Sequence, residues 1–134
     1  MQNLMDEKFV KIDYDATQKI VAAKWNGFLK LEDLQKGCKE INSQIKKEKL
    51  TKHLSDQTQL KVLVKEVQEY IGAVWFDEVE KLGLRKIAIL VAEDIFAQAA
   101  VNKVNLNAQY KKLEINSFSS LDQCHTWLNE KPID

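Results

Sequence analysis

Cys38, His53, Cys124 and His125 have the composition of a complete zinc ligand set. Their spacing argues against such a site. The cysteines are far apart, neither belongs to a Cys-x-x-Cys pair, and adjacent positions such as Cys124 and His125 project about 100° apart on a helix. Both thiols are therefore read as buried or half-buried, and no metal or cofactor is expected. A second group is Ser55-Asp56-Gln57-Thr58. At a strand-to-helix loop, Ser55, Asp56 or Thr58 would cap the helix or contact a ligand or partner, and a phosphate on Thr58 would meet free backbone N–H groups there. Asp94, beyond another strand, could approach Asp56 and form a small acidic cleft for a cation, an amine or acid–base chemistry. The plainer reading makes both residues turn and N-cap groups. Trp25, Trp75 and Phe76 could rim an apolar pocket or interface, although aromatics at such spacing more often fill a core. No Gly-x-Gly-x-x-Gly, Gly-Lys-Ser/Thr, Gly-x-Ser-x-Gly or His-Glu-x-x-His string occurs.

These residues need elements to position them. Phe9–Tyr14 alternates apolar and polar residues, and Lys19–Trp25 offers a second run across the turn Asp15-Ala16-Thr17-Gln18, predicting an antiparallel hairpin. Leu31, Leu34, Cys38, Ile41 and Ile45 recur at steps of three and four, the stripe of an amphipathic helix closed by lysines. Residues 50–56 suggest a short strand. A long helix is expected next, with Leu60, Leu63, Val67, Ile71 and Val74 as its stripe, a bend or break near Gly72 or Phe76-Asp77, and a stop at Gly83. The apolar run Ile87–Val91 reads as a central strand covered on both faces. A helix over 96–106, a strand over 113–118 and a last helix follow, the last opened by a Ser120/Gln123 capping box and carrying Leu121, Cys124 and Leu128 on one stripe. Strands alternating with helices after an opening hairpin predict an α/β fold with a single mixed sheet, its later strands mostly parallel. One domain over 1–134 is expected.

The chain has 134 residues, 45% hydrophobic and 30% charged, with 20 basic and 20 acidic residues. That size and composition suit a packed globular core, with about 70% of the extended chain's surface removed on folding. Zero net charge removes the usual argument for nucleic-acid binding. Residues 30–65 hold nine lysines and five acids, whereas 66–94 hold three basic residues and seven acids. Lysines at a helix C-terminus account for most of that imbalance. No membrane span or secretion signal is recognisable, so a cytoplasmic location is expected.

The element order resembles that of the SpoIIAA-like proteins, which share the STAS fold and are grouped with Sec14-like domains. The strings that carry the likeness are Gly83-Leu84-Arg85-Lys86-Ile87-Ala88-Ile89, Glu93-Asp94-Ile95-Phe96, and Phe118 through Leu128 with its Trp127-Leu128 ending. Tyr70-Ile71 with Trp75 is similar to the aromatic-bearing long helix of small bacterial members. The resemblance covers residues 8–130. It implies a non-enzymatic regulatory module that binds another protein through the Ser55–Thr58 segment and the flanking long helix. Separately, the exposed part of Val74–Val79 is expected to support self-association. In STAS antagonists a phosphorylatable Ser follows an Asp; here Ser55 precedes Asp56, which argues against a phosphorylation switch. The Sec14-like kinship implies an alternative, a carrier of a lipid or small hydrophobic ligand. A third possibility, an enzyme using Asp56 and Asp94, requires those carboxylates to converge on one cleft.

Overall fold

The computed structural model describes residues 1–93 and 112–130, and the structural statements below concern those residues. They form a six-stranded sheet in simple sequence order: β1 (Gln2–Asp6), β2 (Val10–Asp15), β3 (Ile20–Phe28), β4 (Lys52–Val62), β5 (Lys86–Leu90) and β6 (Glu114–Phe118). The first three strands pair antiparallel, and β3 through β6 pair parallel. Helix α1 (Leu31–Glu48) connects β3 to β4. The return from β4 to β5 runs through α2 (Lys65–Tyr70), a π-helical turn (Ile71–Trp75) and α3 (Phe76–Leu82) without a break, and α4 (Leu121–Leu128) follows β6.

Side-chain alternation fixes the sheet's two faces. Val10, Ile12 and Tyr14 of β2 are buried opposite Trp25, Ala23 and Val21 of β3, while Lys11 is exposed. The turn between these strands is held by Asp15, whose Oδ1 accepts the backbone N–H groups of Thr17 (3.0 Å) and Gln18 (3.1 Å). The Gln18 bond is the main reason its carboxyl group titrates below the usual range. The face carrying Val21, Ala23 and Trp25 packs on α1 and on the α2–α3 segment; the opposite face carries Ile20, Leu54, Ala88 and Leu90 against Cys124 and Leu128 of α4. Strand β5 lies between β4 and β6 and is covered on both sides, Ile87 joining the first cluster and Ala88 and Leu90 the second. The expected mixed α/β sheet is what forms.

Three elements differ from the sequence reading. Strand β1 is additional; Leu4 and Met5 are adjacent rather than alternating, and a register shift between Asn3 and Met5 interrupts its pairing with β2. Strand β4 does not stop at Asp56 but runs to Val62, so Leu60 belongs to it, Leu63 follows it, and the helix begins only at Lys65. The continuation depends on a bulge: Lys24–Asn26 of β3 faces Asp56–Gln59 of β4, one extra residue on the longer strand. Asp56 Oδ1 staples it, accepting the backbone N–H of Thr58 (3.0 Å) and its hydroxyl (2.7 Å). Third, the bend expected near Gly72 takes the form of a π-helical turn over Ile71–Trp75, a conformation frequent at functional sites. The helix expected over 96–106 and the residues Asp94 and Pro132 lie outside the described residues.

Gly37, in the middle of α1, permits a close approach of the helix to the sheet. A Cβ there would sit 2.5 Å from Cη2 and 2.9 Å from Cζ3 of the Trp25 indole. Alanine normally stabilises a helix interior by about 1 kcal/mol relative to glycine. Overpacking a filled site costs about 1–3 kcal/mol, so Gly37→Ala is expected to lower the urea midpoint. A raised midpoint would mean that the indole retreats without cost.

Candidate functional site

The parallel strands end unevenly. Strand β5 pairs with β4 only as far as Leu90 opposite Asp56, whereas β4 continues for six residues beside β3 alone. The α2–α3 segment arches back over this overhang, and a cavity of about 260 Å³ remains between helix and sheet. It lies toward the carboxyl ends of the parallel strands, the usual position for ligands in open α/β sheets. Trp25 and Ile89 contribute from the sheet, Cys38 from α1, and Ile71, Gly72 and Trp75 from the π-helical turn. Phe76 closes the aromatic group, its ring 5.8 Å from that of Trp75. The three aromatics named from the sequence thus line one cavity, each buried to 5% exposure or less.

Polar groups are few among the lining residues. Ser55 and Gln57 point into the cavity from the same face of β4, and Gln68 reaches it from α2. Ser55 is only 6% exposed, and its Oγ accepts a long bond from Gln57 Nε2 (3.4 Å). Gln68 uses its amide to cap the backbone carbonyl of Leu63. None of the described lining residues carries a formal charge at neutral pH; burial, with a smaller contribution from the Glu78 carboxylate, pushes the Cys38 thiol well above its ordinary range.

The other sequence candidates fall elsewhere. Ser55, Asp56 and Thr58 do not form a strand-to-helix loop and cap no helix, because the nearest N-cap is Val64. Alternation along β4 turns Asp56 away from Ser55 and toward α4. Together with burial, the larger effect, its carboxylate raises the Cys124 thiol to about 11. Cys38 and Cys124 pack on opposite faces of the sheet, so the imagined four-residue zinc set is divided by the backbone. Within the Val74–Val79 segment, whose exposed part was expected to support self-association, Val74 is 41% exposed and Val79 is fully buried. The proposed convergence of Asp56 with Asp94 involves a residue outside those described.

One unusual residue was considered from the sequence only as a metal ligand. His53 is completely buried, donates Nδ1–H to the Val21 carbonyl at 2.8 Å, and packs edge-on to Trp75 with ring centroids 5.5 Å apart. Its Nε2 is buried with no hydrogen-bond partner among the described residues. Desolvation lowers its pKa from 6.5 to about 4, so the imidazole is neutral at pH 7. Trp75 is fixed on its far side by Nε1–H donation to Asn42 Oδ1 at 2.9 Å. A polar residue flanked by Lys52 and Leu54 is no signal by itself; its meaning depends on the distant indole.

No protein-family profile matches the sequence, and no curated protein matches it. Among solved structures, an uncharacterised protein of the DUF3478 family from Shewanella loihica PV-4, described as having a SpoIIAA-like fold, superposes with a TM-score of 0.55. It shares 17% identity, over 92% of this chain and 98% of its own. The chain therefore has a SpoIIAA-like fold. Among the described residues no helix is long and apolar enough to cross a membrane.

Proposed function

We propose that this SpoIIAA-like chain is a non-enzymatic binding module whose ligand is a small apolar molecule held between the sheet and the π-helical turn. The cavity of about 260 Å³, with Trp25, Trp75 and Phe76 in its walls, is the observation that supports this reading. Ligand sites combine apolar walls with a few placed polar groups, and Ser55, Gln57 and Gln68 supply those here. The described lining holds hydroxyl and amide groups suited to orientation, with no ionised carboxylate, ammonium or imidazole available to move protons. This favours binding over turnover.

Protein–protein interaction is the second reading. Its surface differs from the one expected, because Ser55 faces the cavity. Phe28, 74% exposed at the end of β3, and Val64, 42% exposed beside the N-terminus of α2, are apolar groups at the same end of the sheet. A ligand in the cavity would support the α2–α3 segment next to that surface, so the two readings are compatible.

Native mass spectrometry of protein purified from its own host tests the primary reading. A retained small molecule, one per chain, is expected, and Ile89→Phe, which places a ring in the cavity, should abolish retention while preserving the fold. Only the bare chain mass, with no uptake of added aromatic compounds by the unmodified protein, would overturn it.

A further inference from the structure

The cavity's size, wall chemistry and one buried hydroxyl together restrict what it can hold. An engineered apolar cavity of about 150 Å³ binds benzene, and linear scaling to 260 Å³ gives room for about ten non-hydrogen atoms. A complete long-chain acyl group exceeds that. The walls present two indoles and a phenyl ring, whose faces and edges favour another aromatic system beyond simple area burial. An ionic group placed inside would lose its hydration without meeting an opposite charge among the described lining residues. Ser55 supplies the remaining constraint. Its oxygen accepts from Gln57, but its hydroxyl hydrogen has no acceptor among the described residues, although the residue is 94% buried by its 6% exposure. A buried donor without an acceptor is unfavourable, and a ligand acceptor would relieve it.

We propose that the cavity selects an uncharged, flat aromatic molecule of about ten non-hydrogen atoms bearing one hydrogen-bond acceptor, which receives the Ser55 hydroxyl hydrogen. This inference rests on the small-ligand reading and goes further by fixing charge, size and polarity. Ser55 and Gln57, two residues apart on one strand face, form its polar wall. Trp25, Trp75 and Phe76 form the stacking walls.

Three bicyclic probes separate these requirements: naphthalene, quinoline, which is neutral at pH 7 and adds one acceptor, and N-methylquinolinium, which is one methyl group larger and replaces the acceptor with a fixed charge. Amide-resolved NMR titration of the full chain at pH 7 should show quinoline binding about fivefold to tenfold more tightly than naphthalene. N-methylquinolinium should bind about a hundredfold or more weakly than quinoline. In Ser55→Ala the preference for quinoline over naphthalene should vanish. Equal affinity of the unmodified chain for naphthalene and quinoline, or preference for the cation, would overturn this inference while leaving the small-ligand reading intact. Failure of all three probes to bind would overturn both. The comparison on the unmodified chain decides the question whether or not the Ser55 variant folds.

Discussion

Replacing Trp75 with alanine is expected to lower the unfolding free energy by about 3–5 kcal/mol, the usual range for truncating a buried aromatic. Trp75 is 5% exposed and touches three kinds of neighbour at once. Its ring meets His53 edge-on and Phe76 at a tilt, and its Nε1–H satisfies Asn42 Oδ1. Truncation would enlarge an existing cavity, leave the Asn42 amide oxygen without its donor, and remove the ring that packs edge-on to His53. Trp75→Phe should cost less, about 1–2 kcal/mol, because it keeps part of the ring and loses mainly one hydrogen bond. Urea unfolding of both variants measures the difference. A loss below about 1 kcal/mol for the alanine variant, well under the range for buried aromatics, would mean that the π-helical turn is held mainly by its backbone.

Acidification should remove about 3 kcal/mol of stability between pH 6.5 and 4 through His53 alone, from a pKa lowered to about 4 at about 1.36 kcal/mol per unit. The sign follows from which state binds the proton. Below pH 6.5 the unfolded chain protonates this imidazole, while the folded chain excludes the charge until about pH 4. The folded state therefore binds fewer protons throughout that window and loses ground as pH falls; above pH 6.5 the contribution is constant. Asp15 and Glu80 have carboxyl groups held below their ordinary values of 3.8 and 4.5, so their contributions begin to be lost only in the lower part of this window, and the interval from pH 6.5 to 5 isolates His53. Urea titrations at half-unit pH steps should give a falling stability in the unmodified protein. His53→Leu, referenced to its own value at pH 7, should be nearly flat from pH 6.5 to 5. An equal slope in the two proteins would exclude His53 as the origin.

What the sequence made legible was local. The run at Ile87–Val91 announced a doubly covered strand, and Ser120 does accept from the Gln123 backbone N–H at the start of α4, at 3.5 Å. The stripe Leu34, Cys38, Ile41 and Ile45 is the buried face of α1. Trp25, Trp75 and Phe76 were recognisable as candidates for an apolar pocket, although only tertiary packing decides whether such rings fill a core or leave space within it. The extent of β4 was hidden for a physical reason. Gln57-Thr58-Gln59 looks like a polar loop, and Leu60 and Leu63 continue a helical spacing into Val67. The deciding interaction is pairing with β3, including a bulge that Asp56 satisfies from within its own strand. Misplacing that boundary also misassigned Ser55, which became a surface loop residue instead of a cavity wall. His53 was illegible because its environment is assembled from β3 and the π-helical turn, both remote in sequence.

The sheet that separates Cys38 from Cys124 turns the two thiols into independent gauges of breathing on opposite sides of the molecule. Cys38 faces the sheet from α1, and Cys124 faces its other side from α4. A thiol reagent that modifies one before the other records which helical layer lifted first, without any label having been introduced. Occupancy of the cavity lined by Cys38 would slow that side's opening alone, so the untouched side serves as an internal clock.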